Sequence, residues 1–400
     1  MNTHHPIAHL TPDKMQGFTL LELLIALTIS LLITAAVGYV YIGSLQAYRT
    51  QDALSRLQEG ARYAFEILSK EVRMAGLSGC GSQTSANVLA NPAWYGNLYS
   101  APLWGYEGGV STFPADVTGA LANRDALTGL RADTSRDYVV VSHNPVSAQM
   151  NIDINGDGVS DSSDKTDLQA GEVLVVCGQL EVSPGVCDSS NTHSAVFQMT
   201  GPSTAAPNNA VHNTGVAGVS PGNCSKKLGN PVPSPCDSTT PASAGTDYTF
   251  CPGTRLYRVK GITYFVRNNP AGEPALYQQR LVVSGTSAAT IAEELVEGVE
   301  DMQITYGVDT DSSDDGTPAV LNTKVYLRAD QMTNANVPGW ANDSERWGRV
   351  VSVRISLLMR TPQNGVVPSP QTYTFNGVTV TPTDRRLRKV FTHVVKVRNR

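Results

Sequence analysis

The chain has 400 residues, 41% of them apolar and 16% charged, with a net charge of -5. That balance describes a folded chain of one large or two ordinary domains and excludes a disordered polymer. It also excludes nucleic acid as the main partner, because phosphate recognition needs a dominant basic surface.

The first element is an apolar run from Phe18 to Gly43 whose one charge is Glu22. As a helix it is long enough to cross a hydrocarbon core of about 30 Å. The polar leader before it includes Lys14, so the positive-inside rule keeps the N-terminus cytoplasmic and places the C-terminal part outside. A cleaved secretory signal has an apolar core of only about 7 to 15 residues, which is too short. A plain signal anchor leaves Glu22 unexplained, since an acid at the bilayer centre costs about 2.5 to 3.5 kcal/mol.

Gly17, Phe18, Thr19, Leu20, Leu21 and Glu22 resemble the type IV prepilin cleavage and methylation motif. The resemblance implies that a membrane prepilin peptidase cuts between Gly17 and Phe18 and methylates the new amine of Phe18. It also implies that Glu22, fifth from the cut, serves assembly. The physics agrees: cleavage exposes an amine, and a carboxylate one helical turn away, on this or a neighbouring subunit, gives each buried charge a partner.

Beyond Gly43 the spacing predicts that the helix continues. Leu54, Leu57, Ala61, Ala64, Leu68 and Val72 recur every three or four residues along one face. Asp52 with Arg56, and Glu66 with Lys70, are acid-before-base pairs at i, i+4. Gly76 supplies the stop. A helix over about 18–75 would be about 85 Å long at ~1.5 Å per residue. Its second half should pack on the globular part, whereas the first half needs other subunits once it leaves the membrane.

The rest reads as strands and loops. "DYVVVSH" at Asp137, "GEVLVVCG" at Gly171, "GITYFVR" at Gly261 and "VVSVRISLLM" at Val350 are β-branched and aromatic runs of strand length. "QTYTFNGVTV" at Gln371 reads as a hairpin turning at Asn376 and Gly377. The expected organisation is a leader at 1–17, the membrane and assembly half of the helix at 18–43, its amphipathic half at 44–76, and a β-rich globular part at 77–400. The fold class is α+β, with the long helix packed on a mainly antiparallel sheet domain.

Cys80, Cys177, Cys187, Cys224, Cys236 and Cys251 include no CxxC pair, so an oxidising compartment and disulfides in any of about 15 pairings are expected. Three of them fall in a Ser-, Thr-, Pro-, Gly- and Asn-rich stretch at 181–250, read as a long loop that at least one disulfide should staple.

"DINGDGVSDSSD" fits the twelve-residue calcium loop. Asp153, Asn155 and Asp157 take positions 1, 3 and 5, Gly158 makes the sharp turn, and the Val159 carbonyl fills position 7. Asp161 stands at position 9, and Asp164 replaces the usual glutamate at 12, so Ca2+ affinity should be modest. The flanks lack paired helices, and an Asx-rich turn that binds nothing is the competing reading. A second acidic run, Asp309 to Gly316, departs from the spacing and reads as a solvated hairpin tip.

The tail carries Arg385, Arg386, Arg388, Lys389, Lys396, Arg398 and Arg400 against Asp384 alone. Alternation predicts a strand with a basic face, either solvated or in contact with an acidic neighbouring subunit. Only His143, His193, His212 and His393 follow the leader, scattered along the chain, and it has no HExxH or P-loop pattern, so the chain reads as non-catalytic.

The order of segments resembles the PilW family of type IV pilus assembly proteins: the N-terminal motif, "RVKGITYFVRN", "VEDMQITYGVDTD", "WGRVVSVRISLLMRT" and "RRLRKVFTHVVKVRN", with "DYVVVSH" and "GEVLVVCG" before them. The resemblance implies a minor pilin in a tip complex that primes assembly from the inner membrane. Its partners would be other minor pilins, the major pilin, the inner-membrane assembly platform and a large tip adhesin, with twitching motility as the output. A J-type minor pseudopilin of type II secretion shares the N-terminal motif, and an adhesin on a pilin stem is a third reading.

Overall fold

A computed structural model describes residues 17–79, 84–90, 94–202, 207–229, 244–310, 323–340 and 342–398. Helix α1 runs unbroken over Leu20–Met74. Thr19 caps its N-terminus, the Ala75 N–H bonds the Glu71 carbonyl, and Gly76 leaves the helix at φ 81°, as the sequence stop requires.

The two halves of α1 meet different surroundings. From Phe18 to Ile42 its large apolar side chains are exposed, from 49% at Ile25 to 89% at Phe18. From Leu57 the predicted face turns inward: Leu57, Ala61, Ala64, Leu68 and Val72 are buried, with Leu54 packed beside them. Each buried Leu or Val contributes about 1.5–3 kcal/mol by leaving water. The Asp52–Arg56 pair forms at 3.0 Å. Glu66 and Lys70 form no ion pair among the described residues.

The strands are β1 (Thr84–Asn87), β2 (Leu103–Tyr106), β3 (Ala126–Asn144), β4 (Gln149–Asp153), β5 (Val173–Ser183), β6 (Val186–Gln198), β7 (Asn209–Val211), β8 (Thr254–Asn268), β9 (Pro274–Ser284), β10 (Ser287–Glu297), β11 (Val299–Val308), β12 (Val325–Leu327), β13 (Val350–Arg360), β14 (Tyr373–Phe375), β15 (Val378–Val380) and β16 (Arg388–Lys396). A short helix α2, Asp343–Gly348, precedes β13. One sheet follows the order β1-β6-β5-β8-β3-β4-β7, with β2 on β3, β9 on β8 and β10 on β9. A second is β12-β11-β13-β16, and β14 pairs with β15. All described pairs are antiparallel except β1 with β6. The architecture is α+β.

The amphipathic half of α1 lies on the second sheet, sharing a core with Met302, Ile304, Val353, Ile355 and Leu357. The large sheet has a separate core that includes Met150, Ile152, Phe197 and Phe250. Asn376 and Gly377, at φ 47° and 75°, form the two-residue turn between β14 and β15.

The stretch read as a loop at 181–250 begins instead with strand. Residues Val186–Gln198 form β6, which pairs antiparallel with β5, and Asn209–Val211 form β7. The Cys187–Cys251 disulfide ties the start of β6 to the residue after Phe250, with Cα atoms 5.9 Å apart. Cys177 and Cys224 are also disulfide-bonded. Cys80 and Cys236 lie outside the described residues, as do the leader before Gly17 and positions 311–316 of the second acidic run.

Candidate functional site

The N-terminal site is built by the start of α1. Gly17 and Phe18 are exposed and precede the first helical turn, which leaves the peptide bond between them accessible. Thr19 and Glu22 then form a capping box. Thr19 Oγ1 accepts the Glu22 N–H at 3.2 Å, while Glu22 Oε2 accepts the Thr19 N–H and the Thr19 hydroxyl, each at 2.9 Å. Two of the unpaired amides at the helix start are thereby satisfied. The T-x-x-E spacing from Thr19 to Glu22 is the sequence signal for this box. The amine released by a cut after Gly17 would sit on the residue next to Thr19, beside a carboxylate already turned back toward the helix start.

Strand β4 delivers the acidic loop. Asp153, its last residue, accepts the Gly156 N–H at 2.7 Å on Oδ1 and the Gly158 N–H at 2.8 Å on Oδ2. Gly156 and Gly158 both have φ 83°, the left-handed conformation this turn requires. Asp164 closes the loop: its Oδ1 accepts from Ile154 at 2.8 Å and its Oδ2 from Asp161 at 2.8 Å. These amides hold the Asp164 carboxyl below the usual range. Asn155 donates to Asp157 at 3.0 Å, and Asp157, Val159 and Asp161 are exposed. Asn208 Nδ2 holds the Asp161 carbonyl at 3.0 Å, which pins the loop to the segment before β7. The side chains are thus close together but spent on amides, and the described residues hold no group of three or more His, Cys, Asp or Glu set to ligate a metal.

Histidines scattered in the sequence come together in the fold. His143 Nδ1 accepts the Phe250 N–H at 3.1 Å, so its proton is on Nε2, which lies 3.1 Å from His212 Nε2. His193 Nε2 donates to the Leu228 carbonyl at 2.7 Å and its ring stacks near Tyr248 and Phe250. Burial pushes His143 down to about 4 and His212 down as well. The three rings are buried among the core side chains of the large sheet.

The basic tail divides, with Arg386 and Arg388 paired internally and Arg385, Lys389, Lys396 and Arg398 exposed. Arg386 forks onto both Glu273 oxygens at 2.9 Å, and Arg388 bonds Glu300 and Asp384. Arg360 reaches the same Glu273 at 2.8 Å. Arg388 holds Asp384 down to about 2.

Two family models match. One described as Prokaryotic N-terminal methylation motif covers residues 13–38, and one described as Type IV Pilus-assembly protein W covers residues 263–399. Over these residues the chain is similar to type IV pilus assembly proteins of the PilW family. The PilW match runs from within β8 to the C-terminal tail and so includes the whole sheet against which α1 packs, whereas "DYVVVSH" and "GEVLVVCG" fall outside it. Comparison with curated proteins finds no match, and comparison with solved structures finds none. The two matches support a pilin-related part in pilus assembly, and the methylation motif and exposed apolar helix fit a single-pass inner-membrane pilin.

Proposed function

We propose that this chain is a minor pilin that joins a tip complex, primes type IV pilus assembly from the inner membrane, and supports a large tip adhesin and twitching motility. In this reading the leader is cytoplasmic, the β-rich part is periplasmic until assembly, and the neighbours are other minor pilins, the major pilin and the assembly platform. The observation that carries it is the division of α1: an exposed apolar half bearing Glu22 close to Gly17 and Phe18, continuous with a half buried on the sheet that the PilW match covers. A single chain cannot bury the first half, so membrane first and other subunits later must do so. A J-type pseudopilin shares the motif, and the match over 263–399 favours the pilus. Deletion should abolish surface pili and leave type II secretion intact; the reverse outcome would assign the chain to secretion.

We also propose that the loop from Asp153 to Asp164 takes Ca2+ weakly. Support comes from the sequence spacing and from a backbone already bent through Gly156 and Gly158. Asp153, Asn155, Asp157, Asp161 and Asp164 would hold the ion with the Val159 carbonyl, its charge offsetting the gathered carboxylates.

A further inference from the structure

The loop over 361–367 is fastened to α1 at a defined height. Gln46 Nε2 donates to the Val366 carbonyl at 2.7 Å, and Thr50 Oγ1 donates to the same oxygen at 3.0 Å. The apolar run ends at Gly43, and α1 continues without a break. At ~1.5 Å per residue, Gln46 and Thr50 stand about 5 Å and 10 Å beyond it. A bilayer adds about 5 to 7 Å of headgroup on each side of its hydrocarbon core. While α1 spans the membrane, the loop is therefore held in or directly on the headgroup layer.

From that height outward α1 and the loop enclose a cleft of about 580 Å³, with Tyr48, Arg49, Gly365 and Val366 toward its membrane end and Leu57 and Met359 toward its far end. Tyr39, Tyr41 and Tyr48 are exposed around the end of the apolar run, an interfacial aromatic belt. The charges of the cleft divide into two groups. Arg56 is taken by Asp52, Arg360 by Glu273, and Glu297 accepts from Asn269 at 3.4 Å. Arg49 and Arg385 are exposed and have no acidic partner among the described residues. Arg385 flanks the loop, its Nη2 lying 3.8 Å from where a Gly365 Cβ would be. Two guanidiniums without acidic partners at the membrane end of this cleft suit a phosphate, which the planar fork binds bidentately.

We propose that this cleft binds an anionic phospholipid headgroup, with Arg49 and Arg385 on its phosphate, and so seats the globular part on the membrane before the subunit is drawn into a pilus. The inference rests on the reading that the first half of α1 spans the bilayer. Its test uses the full chain in nanodiscs of phosphatidylcholine with or without phosphatidylglycerol. A spin label at Asn364→Cys reports loop depth, one at Val37→Cys reports insertion of α1, and native mass spectrometry counts retained lipid. The 364 label should read headgroup depth, and phosphatidylglycerol should be retained over phosphatidylcholine. Arg49→Gln and Arg385→Gln should each lower that preference by roughly fivefold, with both label depths unchanged. A buried 37 label with an aqueous 364 label would overturn the inference and leave the spanning reading intact. Equal retention of the two lipids, or unchanged preference in the double variant, would overturn it as well. An aqueous 37 label would remove both.

Discussion

Glu71 on α1 and Arg131 on β3 form a bidentate ion pair, with both contacts at 3.0 Å and each side chain less than a tenth exposed. The pair bolts the C-terminal end of α1 to the large sheet, while the neighbouring Leu68 and Val72 pack on the core shared with the second sheet. Removing one partner leaves the other charge buried and unpaired. Arg131→Met should cost about 3–5 kcal/mol in urea unfolding of the detergent-solubilised chain, and Glu71→Met with Arg131→Met should recover most of that loss. Equal losses in the single and double variants would show that the ion pair is not what the single change breaks.

The N-terminal site separates three roles by residue. Glu22→Ala should insert and be cleaved yet fail to restore surface pili in a deletion strain, if this carboxylate is the partner of the Phe18 amine between subunits as proposed. Thr19→Val should cost only about 1 kcal/mol of helix capping and leave assembly largely intact. A bulky replacement of Gly17 should stop cleavage itself, seen as retained leader mass. Normal piliation by the Glu22 variant would refute the role given to that carboxylate.

Much of this site and of α1 was legible in the sequence because the signals are local. The buried face of α1 follows from spacing, and the β14–β15 turn from Asn376 and Gly377. What stayed hidden depends on partners far apart in the chain. Arg386 and Arg388 count only toward a basic tail, because Glu273 and Glu300, which pair with them, are about a hundred residues earlier. The β10 sequence SAATIAEELVE has no clean alternation, since its stability comes from cross-strand pairs such as Arg280 with Glu293 on β9. The histidine cluster was invisible for the same reason: β3, the residue after β7 and Phe250 meet only through the sheet.

Opposite pH dependences are expected from two buried sites. His143, pushed down to about 4 from 6.5, contributes stability that is present above pH 6.5 and lost as pH falls toward 4. Asp125 accepts the Gly108 and Ile304 amides at 2.9 and 2.7 Å and so joins the two sheets. Burial pushes its carboxyl up to about 7 against those amides, with Glu107 and Asp301 adding to the rise. That contribution is fully present below pH 3.8 and lost as pH rises through 7. In urea midpoints, the advantage of wild type over Asp125→Asn should grow as pH falls from 7 to 4, while its advantage over His143→Asn should shrink from 6.5 to 4. Parallel profiles for the three proteins would contradict both assignments.

The acidic loop sets a competition between amides and an ion. Asp153 and Asp164 already accept five backbone N–H groups between them. Calcium must then share these oxygens with the amides and draw Asn155, Asp157 and Asp161 inward from solvent. With Asp164 too short to reach the ion easily with both oxygens, binding should fall in the range of extracellular modules, about 10⁻⁴ to 10⁻³ M. Isothermal titration of the full chain should show calcium heat in that range, absent in Asp157→Ala, a side chain that holds a neighbouring amide but lies outside the core. Asp153→Ala should abolish the heat and also loosen the loop, because Gly156 and Gly158 lose their acceptor. Proteolysis within the loop should follow: calcium should protect the wild-type chain and neither variant. If millimolar calcium produced no heat and no protection, the loop would be an Asx-rich turn held by its own amides.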